Sequence, residues 1–169
     1  MKKIIFVLIL AIGWTWVNAQ KIAIVDITQV LENLDEYKKA QDQLDKVTAS
    51  WKQEIADARD KIKVMYNKYQ AEQVLLSNDQ RKTKEDEIMV KEKEVMEMQK
   101  SKFGPEGSLF MKRQELVQPI QDKVYKTIQE YATAKGLDLI LDKGSSAGVI
   151  FSNPLLDKTS DILKKLGIQ

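Results

Sequence analysis

The longest regular pattern in the chain runs from Leu34 to Leu76, where apolar side chains step by three and four: Leu34/Tyr37, Gln41/Leu44, Thr48/Trp51, Ile55/Ala58, Ile62/Met65, Tyr69/Glu72 and Leu76. Only Gln41, Thr48 and Glu72 interrupt the row, and the positions between are largely charged. A stripe this narrow specifies a coiled-coil partner rather than a broad core. Ser77-Asn78-Asp79 is the local turn chemistry in the stretch, so a hairpin tip is expected there, with Ser77 or Asn78 capping a returning helix. The returning arm, 81–103, carries a thinner stripe of Ile88, Met89, Val95, Met96 and Phe103. Gly104-Pro105-Glu106-Gly107 must break it, because proline lacks an amide donor and disfavours helix at the residue before it. Leu109, Leu116, Ile120, Val124, Ile128 and Tyr131 then resume helical spacing, and Lys135-Gly136 supplies a C-cap. Pro119 is expected to bend or restart that helix.

The two ends of the chain read differently. Lys21 to Ile27 (KIAIVDI) is a β-branched run apolar on both faces, hence a covered strand, and Thr28 or Asp35 is expected to cap the helix after it. Leu137 to Asp142 and Gly148 to Ser152 are two further short apolar runs joined by Lys143-Gly144-Ser145-Ser146-Ala147, which predicts a β-hairpin. Residues 158–166 close the chain as an amphipathic helix with Ile162, Leu163 and Leu166 inward. The fold class expected is therefore α+β and mostly helical: a small β body, 20–34 with 136–169, from which a helical hairpin arm, 35–135, projects with its tip near 77–79 and a break near 103–108. An arm of about 45 residues at 1.5 Å per residue reaches about 65 Å, and so small a body is expected to associate with further copies along its open sheet edges.

Met1 to Ala19 has Lys2-Lys3, an apolar run from Ile4 to Val17, and small residues at Val17 and Ala19. That is the order of a secretory signal cleaved after Ala19, too short to serve as a membrane span. The product, 20–169, is expected to be soluble and exported. Lys and Arg number 27 against 25 Asp and Glu, and two of the cations lie in the leader, so the remainder is formally neutral and gives no ground for nucleic-acid binding. The chain has no Cys and no His, which removes thiol and imidazole catalysis and Cys/His zinc sites. No catalytic, cofactor-binding or metal-binding residue is assigned. Gly144 and Gly148 read as turn glycines rather than a phosphate loop, and Asp138 and Asp142 as surface or intersubunit ion-pairing groups.

KIAIVDI at the start, the long charged hairpin with FGPEGSLFMKRQELVQPIQDKVYKTI in its returning part, and the closing LDLILDKGSSAGVIFSNPLLDKTSDILKKLG together resemble the Skp/OmpH-like periplasmic chaperones, in the version found in Bacteroidetes-type members. The resemblance spans 20–169 as one domain. It implies a homotrimer whose bodies close a β-barrel and whose arms enclose unfolded outer-membrane proteins in the periplasm, without ATP and without catalysis. Ile22, Ile24, Leu139, Leu141 and Phe151 would then build the trimer body, and Gly104, Pro105 and Gly107 a hinge in the arm. A surface that holds any unfolded chain suits adaptable methionine and off-seam apolar residues, which singles out Tyr66, Leu75, Leu76, Met89, Met96 and Met98 as client-contacting. Family members are commonly basic, whereas 20–169 is neutral, so client contact is expected to be chiefly apolar. The Arg81 to Lys102 segment, with seven basic and six acidic residues, reads as a solvated face with at most a weak membrane-surface contact. A structural coiled-coil spacer or adaptor of the envelope is the alternative function.

Overall fold

The computed structural model describes residues 20–145 and 148–168, so the leader expected at 1–19 lies outside the described residues. Strand β1 (Ile22–Val25) pairs in parallel with β2 (Leu139–Asp142), in the register Ile22 to Leu139 through Val25 to Asp142. Parallel neighbours need a long crossover, and here the crossover is the whole arm. On its other edge β1 meets Asp157, and the Lys158 amide donates to the Ile24 carbonyl at 2.8 Å. Covered from both sides, Ala23, Ile24 and Val25 are all buried, as the two-faced pattern of the run predicts.

The predicted hairpin of 137–142 with 148–152 does not form. β2 spends its paired edge on β1, and 148–153 has no strand partner among the described residues. The Asp142 carboxylate explains the turn away: its Oδ1 accepts the Ile27 amide at 3.1 Å and the Gly144 amide at 2.9 Å. Gly144 is pressed so close to the start of the first helix that a Cβ there would lie 2.6 Å from Asp26 Oδ1.

Helix α1 (Ile27–Asn33) is capped by Asp26, whose carboxylate accepts the Gln29 amide at 2.8 Å, and not by Thr28 as expected. Of the two expected starts for the long helix, Thr28 and Asp35, the structure takes the second: a short helix precedes it, and the two are separated at Leu34, which is extended (φ −82°, ψ 122°) and buried. Asp35 opens α2 (Asp35–Glu72) without capping it through its side chain. Along α2 every position of the predicted seam, from Leu34 to Leu76, is buried or half-buried, and the intervening positions are exposed apart from Ala40 and Val47. A 3-10 turn at Gln73–Leu75 forms the tip, and Ser77 starts α3 (Asn78–Phe103) with a reciprocal capping box to Gln80. α3 buries Ile88 and Val95, one residue per seven, against that seam. After the 104–107 break, α4 (Ser108–Lys135) runs unbroken through Pro119, contrary to the expected restart. Both Pro119 and Glu115, whose carbonyl loses its donor, are exposed, so water can serve the freed group. Gly136 caps α4 in the left-handed region (φ 59°).

The core lies at the root of the arm. Val25, Val30, Leu31 and Leu34 meet Ala40 and Leu44 of α2, Val117 to Tyr131 of α4, and Ile162 of α5 (Thr159–Lys165). The body is thus larger than strands and one short helix would allow, because both arm roots contribute side chains to it. Tyr131 fastens α4 to α5 through its hydroxyl, which donates to Asp161 Oδ2 at 2.6 Å. Burial first, and that bond second, push its pKa up to about 12, so it stays protonated through ordinary alkaline conditions.

Asp157 joins the other pieces. Its Oδ2 accepts Lys143 Nζ at 2.6 Å and its Oδ1 the Thr159 amide at 2.9 Å. Burial opposes ionisation of this carboxyl, but the bonds from Lys143 and Thr159 outweigh burial and hold its pKa below the usual 3.8. A lowered carboxylate pKa adds stability above the unfolded value and loses it as pH falls through the folded one. Asp157→Asn should therefore lower the melting temperature at pH 7 by about 2–4 °C, and the gap to the parent protein should close below about pH 4. A gap that persists in acid would show that ionisation of Asp157 is not what stabilises the junction.

Candidate functional site

The arm has a narrow seam and therefore much unburied circumference, which carries most of the sequence-selected candidates. Tyr66, Leu75, Met89 and Met96 are exposed, Leu75 by 84%. Leu76 and Met98 are half-buried at or beside the seam, as is Met65. The exposed candidates do not converge on one pocket. Met89 and Met96 are seven residues apart and share one side of α3 with Phe103, whereas Val90 and Met98 lie toward the other side. Val64, Val74, Val90 and Phe110 are also exposed, and a search weighted to methionine passes over them. Their signal was present in the sequence, since Val64, Val74 and Val90 all fall off the heptad.

Near the root, Trp51 closes the seam by an edge-to-face contact with Phe103, with centroids 6.2 Å apart. The Lys102 ammonium sits 4.8 Å from the Trp51 ring and 3.9 Å from the Glu54 carboxylate. Beside this cluster the two helices leave an open cleft of about 430 Å³ lined by Ile55, Ala56, Arg59, Gln99 and Phe103 among others. A second, of about 490 Å³, lies toward the tip between Met65 and Val90. The Tyr69 hydroxyl donates to Glu85 across the hairpin, and that bond raises its pKa.

The expected hinge is a compact turn. The Gly104 amide donates to the Lys100 carbonyl at 2.8 Å and the Gly107 amide to the Gly104 carbonyl at 2.9 Å, with Pro105 at the favoured second position. Neither glycine needs a left-handed backbone; what each needs is space. A Cβ at Gly104 would collide with the Lys100 carbonyl oxygen, and one at Gly107 would lie 2.9 Å from three backbone atoms.

In the body, Leu139, Leu141 and Phe151 are exposed and Ile22 is half-buried. Ile24 is covered by its own chain, so it supports the sheet from within and presents no face to a partner. Asp138 and Asp142, expected to form ion pairs, instead accept backbone amides: Asp138 Oδ2 takes Lys21 N at 2.7 Å. Among the described residues no cluster of acidic side chains could hold a metal ion, and no helix is long and apolar enough to cross a membrane.

A family model described as outer membrane protein (OmpH-like) matches residues 21–166. Among solved structures, an OmpH-like outer membrane chaperone from Caulobacter crescentus CB15 is similar at a TM-score of 0.69. The alignment covers 88% of this chain and 84% of that one at 14% identity, a likeness of fold. No curated protein matches the chain.

The turn geometry makes Gly104→Ala costly. It should destabilise the protein by about 1–3 kcal/mol in urea unfolding and accelerate amide exchange across 101–111 while leaving 117–128 protected. Unchanged exchange would mean that the turn absorbs a methyl group and that its close packing is dispensable.

Proposed function

The chain belongs to the OmpH-like outer membrane protein family, and on that premise we propose that it is an ATP-independent holdase chaperone that keeps unfolded outer-membrane proteins from aggregating. The observation that carries this reading is the exposure of several apolar side chains, Tyr66, Leu75, Met89 and Met96, on an arm whose pairing seam does not use them. A purely structural spacer would gain nothing from them, since exposed apolar surface beyond isolated residues invites association. The similar Caulobacter structure, an outer membrane chaperone by name, agrees with the reading. No group transfer is required of the protein, and the reading assigns it no catalytic residue and no cofactor.

In this reading 1–19 directs export and is removed after Ala19, leaving 20–169 in the periplasm as one domain. Three copies assemble through their bodies, using the edge of β2 that has no strand partner among the described residues and the exposed Leu139, Leu141 and Phe151, so that three arms surround a client. Gly104, Pro105 and Gly107 set the angle at which each arm leaves the body.

The test is suppression of aggregation of an unfolded β-barrel protein diluted from urea, with the native mass recorded with and without client. The processed chain should suppress aggregation without nucleotide and bind one client per trimer. Tyr66→Ala with Leu75→Ala should weaken holding by a few-fold, each contact being on the order of 1 kcal/mol. Leu139→Asp should dissociate the assembly, because it places an unpaired charge where a second copy must pack. A protein that leaves aggregation untouched would return the function to a structural role in the envelope, and a Leu139→Asp protein that remains trimeric would move the interface away from β2.

A further inference from the structure

The two long faces of the arm carry different charge. At 100° per residue, the side of α2 that holds Tyr66 also holds Lys52, Ala56, Arg59 and Lys63 in steps of three and four, and no carboxylate shares that row. The matching side of α3 holds Met89, Met96 and Phe103 at seven-residue spacing, flanked by Lys82, Lys93 and Lys100. Glu85 and Glu92 share this side and Asp60 borders it, so six cations stand against three carboxylates. All six cations are exposed, and among the described residues none makes an ion pair. Arg59 is held in place by a neutral partner, its Nη2 lying 2.6 Å from Gln99 Oε1.

The opposite face is neutral, and three of its five lysines are paired. Lys84 bonds Glu87 at 2.8 Å, Lys91 bonds Glu94 at 2.7 Å and Lys102 lies 3.9 Å from Glu54, while Lys61 and Lys68 make no ion pair among the described residues but are offset in number by Asp57 and Glu72.

Three clefts open on the cationic side and run into one another. Arg59 lines the first and second, Met96 the second and third, and Gln99 and Phe103 the first and third. The result is a trough with apolar walls, Ile55, Ala56, Val95, Met96 and Phe103, whose charged lining is three cations, Lys52, Arg59 and Lys100, against two carboxylates, Asp60 and Glu92.

We propose that this trough is where an unfolded polypeptide docks, and that it selects segments in which apolar side chains alternate with acidic ones. The inference rests on the chaperone reading and adds a face and a charge preference to it. Charge complementarity identifies the occupant. Apolar anchors fill the trough while carboxylates meet cations that make no ion pair among the described residues, so pairing displaces no carboxylate, and only the neutral Gln99 competes for Arg59. On the neutral face three of the five lysines, Lys84, Lys91 and Lys102, are already engaged by carboxylates, and its charges balance.

The experiment uses the processed full chain and two short labelled peptides with identical Leu and Phe positions, one carrying Glu between them and the other Lys. The Glu peptide should bind about tenfold more tightly than the Lys peptide at low salt, with the preference shrinking as ionic strength shortens the screening length. Lys52→Glu, Arg59→Glu and Lys100→Glu together should abolish or invert the preference, and Arg59→Gln alone should reduce it in the same direction. Lys61→Glu, Lys68→Glu and Lys91→Glu impose the same change of net charge on the other face and should leave the preference in place. Circular dichroism confirms that each variant remains helical.

Equal loss in the two triple variants would reduce the effect to net charge and overturn the proposal. Equal binding of the two peptides, with unfolded β-barrel protein still held, would overturn the charge preference and leave the chaperone reading standing. If neither peptide nor unfolded protein is held, the chaperone reading itself fails. Binding to phosphatidylcholine vesicles containing phosphatidylglycerol, lost with the trough cations and unaccompanied by binding of the Glu peptide, would make the occupant a membrane and overturn the assignment.

Discussion

Everything in this fold depends on four residues of β1 pairing in parallel with four residues of β2 across the whole length of the arm. A two-stranded ladder that short is not stable by itself. It persists because the pairing brings the two roots of the arm together, and those roots supply the core that covers β1: Ala40 and Leu44 from one side, Val124 and Ile128 from the other, Ile162 from the last helix. The dependence runs both ways. Antiparallel helices with one narrow seam gain little from burial per turn, so the shared core at their root is what holds their register before the seam adds its contribution.

The arm was legible in the sequence because its information is local and periodic. A seven-residue repeat of apolar positions maps onto one line of a helix whatever it packs against, and each seam position from Leu34 to Leu76 is at least half-buried. The cap at Ser77 and the break at Gly104-Pro105 were readable for the same reason, since both are chemistry between near neighbours. The body was less legible. Gly148 to Ser152 has strand composition, but composition does not say which edge is open to it, and β2 already pairs with a strand from the far end of the chain. Leu34 ends a helix with no glycine or proline to mark it; the reason is tertiary, because its side chain is drawn into the core while Asp35 turns outward. Pro119 misled in the opposite sense, its cost being reduced where the freed carbonyl faces water.

The candidate site divides along the same line. Tyr66, Leu75, Met89 and Met96 could be picked out because a residue off the seam has no partner to hide against, and each is exposed. Leu76 and Met98 could not be separated from the seam without the geometry of the turn and of the facing helix. Ile24 is the clearest limit: alternation assigns it a face, but not whether that face is covered by its own chain or by a neighbour, and its own chain covers it.

Formal neutrality hides the arrangement of charge. A helix that spends one line of its surface on pairing retains two flanks, and nothing requires those flanks to be alike. On one flank Lys84, Lys91 and Lys102 find carboxylates three residues away or across the hairpin, so much of their field is cancelled within a few ångströms. On the other, Lys52, Arg59 and Lys100 make no ion pair among the described residues and outnumber Asp60 and Glu92, so a net positive field extends into solvent over roughly a screening length. Two surfaces of one neutral molecule thus differ in what they attract. An arm of this kind can meet an apolar chain on either flank, while only one flank adds a preference for the charge that the chain carries.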